Sequence, residues 1–110
     1  MAGPEERRAK PLMGLALRLA AAHARRRGKL HPDEYRKFVQ LFRADPVNDG
    51  GESFQDLLFS AVAEEAAAGG ALRLSRDGTP IIDAFMRFLD YLVENWDAIA
   101  KIILFVIGLF

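Results

Sequence analysis

The segment from Thr79 to Phe110, TPIIDAFMRFLDYLVENWDAIAKIILFVIGLF, limits what this chain can fold into more than any other stretch. Asp83, Arg87, Asp90, Glu94, Asp97 and Lys101 return at alternating steps of four and three. At about 100° per residue this puts all six within an arc of roughly 80° on one helix. Almost everything between them is apolar, with only Tyr91 and Asn95 as softer positions. An ordinary surface helix carries one apolar stripe, whereas this one carries one polar stripe and needs cover on most sides. The spacing predicts a continuous, nearly all-round apolar helix over 80–110, and 30 helical residues run about 45 Å. A compact chain of this length is about 35 Å across. The helix therefore outruns its domain unless Gly108 or the Asn95-Trp96 region bends it, and the end carrying IILFVIGLF is then an association surface.

Three shorter amphipathic helices are expected to wrap it. The first spans about 7–27, rich in Ala, Leu and Arg, with Pro11 near its start and Gly28 as its stop. Leu12, Leu15, Ala16, Leu19, Ala20 and His23 share its predicted inner face. The second, 32–44, opens on Pro32 with Asp33 and Glu34 in its first turn, turns Tyr35, Phe38, Val39 and Phe42 inward, and closes before Asp45-Pro46. The third, 53–68, starts at a capping-box pattern, Ser53 with Asp56, and offers Phe54, Leu57, Leu58, Ala61 and Val62 before Gly69-Gly70. Residues 71–80, ALRLSRDGTP, read as a minimal hairpin at Asp77-Gly78 or an extended linker over 71–79, with Thr79 as cap and Pro80 as first residue of the last helix. The expectation is one all-α domain with an N-terminal helical part over 1–70, a linker, and the hydrophobic helix.

The chain has 110 residues and a formal net charge of zero, which hides an asymmetry. Residues 1–43 hold eleven Lys/Arg against four Asp/Glu, and residues 44–110 hold four against eleven, leaving +7 and −7. Poles of that size favour contact between the two halves or between copies. The absence of cysteine excludes disulfides, thiolate metal sites and cysteine nucleophiles. Before LMGLALRLAAAHA the charges include Glu5 and Glu6, and Arg18 interrupts the apolar run, which argues against an export signal and for a cytoplasmic protein.

Chemistry-bearing patterns are few. Asp45, Asp49 and Gly50 fit the first, fifth and sixth positions of a calcium-binding helix–loop–helix, but Val47 stands at the third and Asp56 replaces the bidentate glutamate, so a solvated turn is the better reading. His23 and His31 lack the partners a catalytic pair requires. Gly50-Gly51 and Gly69-Gly70 lack the spacing and lysine of a phosphate cradle. No enzyme activity, metal, cofactor or small-molecule substrate is expected. Arg25, Arg26, Arg27 and Lys29 form a basic patch. It has no interleaved aromatics, so complementing the helix dipole and an acidic protein surface is favoured over nucleic acid.

Residues 98–110 extend only about 20 Å as helix against the roughly 30 Å core of a bilayer. Membrane activity by insertion of the last turns is thus the second reading, and accessory nucleic-acid binding the third. The favoured one is a non-enzymatic structural protein that self-associates, or docks into a larger assembly, through its C-terminal helix. Trp96, Ile99, Ile103, Leu104, Ile107 and Phe110 are its expected contact residues, the six charges from Asp83 to Lys101 set register, and Arg25 to Lys29 meet an acidic surface.

Overall fold

The computed structural model describes the backbone of residues 4–68 and 81–110, and the side chains of residues 11–68 and 83–110. It is all-α: α1 (Pro4–Arg26), α2 (Pro32–Ala44), α3 (Phe54–Ala68), α4 (Ile81–Glu94) and α5 (Trp96–Gly108). The expected linker or hairpin over 71–80, with its Thr79-Pro80 cap, lies outside the described residues. α1 packs most extensively on α4 and α3 on α5, while α2 touches α1, α3 and α5.

The helix boundaries follow from local chemistry. α1 closes in a Schellman motif: Gly28 takes φ 73°, Lys29 N–H donates to Ala24 O at 2.8 Å and Gly28 N–H to Arg25 O at 3.1 Å. α1 begins at Pro4, so Pro11 stands inside the helix rather than near its start and removes one rung of the ladder. His31 caps α2, its Nδ1 accepting from Asp33 N–H at 3.1 Å. At the other end Asp45 turns into the left-handed region, φ 46°, and Pro46 prevents continuation. The loop that follows is short-circuited by Asn48, whose Oδ1 accepts from Gly50 and Glu52 N–H at 3.0 Å each, and by a single antiparallel bridge between Val47 and Ser53. Ser53 Oγ accepts from Asp56 N–H at 3.1 Å, the forward half of the expected capping box.

The continuous helix expected over 80–110 is two helices. Asn95 sits at φ −109°, ψ 29°, outside helical geometry, and its Nδ2 donates to Tyr91 O at 3.0 Å. A short amide that bonds the backbone in this way competes with the helical ladder, and here it marks the break. Packing supplies the larger reason. An unbroken helix would run about 45 Å, longer than the molecule's greatest extent of 40 Å. Bending at Asn95 lets Ala84, Phe88 and Leu92 of α4 and Trp96, Ile99, Ile103, Val106 and Ile107 of α5 all be buried.

A second correction concerns α1. Its buried face is Ala16, Leu17, Ala20, Ala21 and Ala24, whereas Leu15 and Leu19, expected inside, are 47% and 44% exposed. Alanines at one-turn steps form a low ridge on which another helix can approach closely. The larger leucines fall to the side of that ridge. α2 and α3 bury the faces the periodicity gives them, Phe38 at the centre of α2 and Phe54, Leu58 and Val62 in α3, with Phe59 and Ala66 added. Among the described residues no polar or charged residue is buried. Among the described residues one buried side-chain polar atom, Trp96 Nε1–H, has no hydrogen-bond partner.

Candidate association surface

The residues expected to make contact between chains divide in two. Trp96, Ile99, Ile103 and Ile107 are buried within the chain itself, so the contact they supply is with its own helices. Leu104 and Phe110 are at the surface, and the structure joins to them two residues that periodicity did not single out, Phe105 and Leu109. Phe105 is 68% exposed. Along the outward face of α5 the character changes, from Asp97 and Lys101 in the first two turns to Leu104, Phe105 and Leu109 in the last. The Phe110 ring packs edge-on against Phe54 at 5.5 Å, which fixes this apolar tip beside the first turn of α3.

Gln55, in the same first turn of α3, lines a groove of about 280 Å³. Pro11, Gly14, Leu15 and Arg18 of α1, Phe42 of α2, and Gln55 and Phe59 of α3 line it. Gly14 makes its floor: a Cβ there would lie 3.0 Å from Phe42 Cζ and 3.4 Å from Phe59 Cζ, so the two rings approach the α1 backbone closely because no side chain intervenes. Phe42 is held between Phe38, 5.7 Å away, and Phe59, 6.1 Å away and edge-on. Gln55 locks the junction, donating from Nε2 to Phe42 O at 2.8 Å and from its backbone N–H to Asp45 Oδ1 at 2.9 Å. None of this was legible as a site, because the Leu15 face reads as core and Gly14 reads as a weak spot in a helix.

Among the described residues no charged residue is buried. Asp83, Arg87, Asp90 and Glu94 stand exposed on α4, Asp97 and Lys101 on α5, and Arg25, Arg26, Arg27 and Lys29 at the α1–α2 corner. Arg25 lies over the Tyr35 ring at 5.1 Å, a cation–π contact. Asp33 pairs with His31 at 3.7 Å and with Arg36 at 3.9 Å at the start of α2. Among the described residues neither the acidic stripe nor the basic corner has an ion-pair partner, so the contact between halves that the +7 and −7 poles suggest is not made there. The corner adjoins the start of α2 through Tyr35, and the apolar tip adjoins its end through Phe54, whose N–H donates to Pro46 O at 2.9 Å. The two surfaces are thus separated by about the length of α2, roughly 15–20 Å.

In the 45–56 loop Asp45 and Asn48 are engaged with backbone N–H groups. Among the described residues no three His, Asp or Glu side chains come together so as to hold a metal ion. His23 is half-buried on α1, and His31 is the α2 cap. No described helix is long and apolar enough to cross a membrane. Comparison with protein-family models, with curated proteins and with solved structures finds no match to this chain.

Proposed function

We propose that this chain is a non-enzymatic assembly protein that associates with further copies through the apolar end of α5. The observation that carries this is the exposure of Leu104, Phe105 and Leu109 on the last turns of a helix whose opposite face lies in the core. A single exposed leucine is ordinary, but large apolar side chains grouped on one helix end, with Phe110 beside them, are the composition of a contact surface. The charged first turns of the same face keep the helix start in water and confine association to the tip.

Sedimentation velocity of the full chain over a concentration series tests the reading, with Phe105→Glu as the variant. Shortening the chain at Asn95 is unsuitable because it removes Trp96, Ile99, Ile103, Val106 and Ile107 from the core. The full chain is expected to sediment as an oligomer in detergent-free buffer and Phe105→Glu as a folded monomer. A full chain that stays monomeric through the micromolar range removes the proposal. The competing use of the same side chains is insertion into a lipid surface, and co-flotation of the full chain with vesicles, lost in Phe105→Glu, would favour it instead.

A further inference from the structure

We infer that α1 carries a second docking face, the outward arc that holds Leu15, Arg18, Leu19, Arg25 and Arg26, and that its partner is a lipid surface bearing anionic headgroups. This face is built on different side chains from the α5 tip, so the inference does not rest on the association reading.

Exposure and register define the face together. Leu15, Arg18, Leu19, Arg25 and Arg26 are exposed and Ala22 is half-buried. At about 100° per residue these six fall within an arc of roughly 120°. Ala16, Leu17, Ala20, Ala21 and Ala24, all buried, occupy the opposite side of the helix. From Leu15 to Arg26 the arc runs about 16 Å. The two leucines, 47% and 44% exposed and one turn apart, are therefore not scattered surface residues but share a helix side with three guanidinium groups.

The charge of the face indicates the sign of its partner. From Arg7 to Pro32 the sequence holds eight Lys/Arg and no Asp or Glu. Among the described residues none of Arg18, Arg25 and Arg26 has an ion-pair partner. Arg25 is held over the Tyr35 ring at 5.1 Å, a contact that leaves its charge uncompensated. A positive field of this kind attracts an anionic surface.

The mixing of leucine with arginine decides which anionic surface it suits. Nucleic acid is held through its phosphates and by stacking or base-edge contacts, and exposed leucines find no counterpart there. A protein interface gathers its apolar residues in a charge-depleted centre and leaves the charges to the rim. On α1, by contrast, Arg26 falls between Leu15 and Leu19 in angle, so the face has no charge-free centre. A helix lying on a lipid surface accommodates this mixture: leucines enter the boundary between headgroups and acyl chains, while arginine stems lie along the apolar layer and their heads reach lipid phosphates. Two half-exposed leucines bury little area, which makes the contact peripheral, reversible and weakened by salt. No described helix is long and apolar enough to cross a membrane, and this mode requires none.

Flotation of the full chain with vesicles of mixed phosphatidylcholine and phosphatidylserine, and with vesicles of phosphatidylcholine alone, tests this over a lipid titration. Binding is expected to the mixed vesicles only, falling as salt is added. Each arginine near an anionic surface contributes about fivefold in affinity, so Arg18→Gln with Arg26→Gln is expected to weaken binding about 25-fold, while Arg18→Lys with Arg26→Lys retains it. Leu15→Gln with Leu19→Gln is expected to weaken it about tenfold. Circular dichroism checks that every variant is folded. Phe105→Glu, which disables the α5 tip, is expected to keep binding. No binding to the mixed vesicles, or equal binding to both kinds, overturns the inference. Loss of binding in Phe105→Glu overturns it too and assigns the membrane contact to the tip. An affinity that the leucine pair leaves unchanged also overturns it, and competition by a duplex oligonucleotide then assigns the face to nucleic acid. A native chain that is monomeric yet floats with mixed vesicles in the arginine- and leucine-dependent way supports this inference and removes only the association reading.

Discussion

Gly14 offers the sharpest test of the packing that shapes the groove, because two effects of known size oppose each other there. Replacing a glycine by alanine within a helix stabilises it by about 1 kcal/mol, through the lost backbone freedom of the unfolded chain. At Gly14 the new Cβ would sit 3.0 Å from Phe42 Cζ and 3.4 Å from Phe59 Cζ. Such contacts require the rings to give way by a few tenths of an ångström. Phe42 cannot retreat freely, since Phe38 and Phe59 flank it at 5.7 and 6.1 Å. Overpacking of this kind costs about 1–3 kcal/mol. Strain therefore wins, and Gly14→Ala is expected to lose roughly 1 kcal/mol net, about 4 °C in melting temperature for a chain of this size.

The double-mutant cycle with Phe42→Ala isolates the cause. With the Phe42 ring gone the Cβ has room, and Gly14→Ala should then recover its helical gain and stabilise by about 1 kcal/mol. The coupling energy is expected to be about 1.5–2 kcal/mol, inside the range for residues in contact. Urea unfolding followed by circular dichroism measures all four proteins, at one fixed protein concentration because dissociation would otherwise enter the result. If Gly14→Ala has the same effect in both backgrounds, the close approach of Phe42 to the α1 backbone is refuted, and with it the floor of the groove.

The same unfolding assay checks four further positions. Asp45 holds a left-handed φ of 46° and accepts from Gln55 N–H, so Asp45→Ala should cost about 1–2 kcal/mol while Asp45→Asn, which keeps both the acceptor and tolerance of that conformation, stays within about 0.5 kcal/mol. Gly28 and Gly108 both face open space, but only Gly28 has positive φ, so Gly28→Ala should destabilise by about 1 kcal/mol and Gly108→Ala should stabilise by up to about 1 kcal/mol. Trp96→Ala should cost about 3–5 kcal/mol, whereas Trp96→Phe should cost only about 1 kcal/mol, because the smaller ring also removes a buried N–H that has no partner.

The helix ends were the most legible part of the fold. Gly28, Pro32, Pro46 and Ser53 each punctuate the chain through a local backbone requirement, and each stands at or beside the end it announces. The break at Asn95 was harder, because the polar stripe from Asp83 to Lys101 continues across it with helical spacing. A single turn residue can interrupt a helix without disturbing the periodicity on either side, so the pattern carries the identity of the face and not the straightness of the axis. The groove was not legible at all. Its lining comes from three helices, and Gly14 contributes by lacking a side chain, an effect visible only once Phe42 and Phe59 are known to point at it.

The two misplaced sets of residues have a common origin. Leu15 and Leu19 were expected in the core and are outside; Trp96, Ile99, Ile103 and Ile107 were expected between chains and are inside. Periodicity records that a face is apolar, and an intramolecular core and an interface between chains ask for the same apolar face. What separates them is the depth of the partner ridge. The alanines of α1 fill the inner face with small side chains and leave Leu15 beside the ridge, and the bend at Asn95 turns the middle of the C-terminal segment inward and leaves only its last turns outside. The apolar residues left over by these two choices are Leu15 beside the α1 ridge and Phe105 at the end of α5, and the second belongs to the surface through which association is proposed.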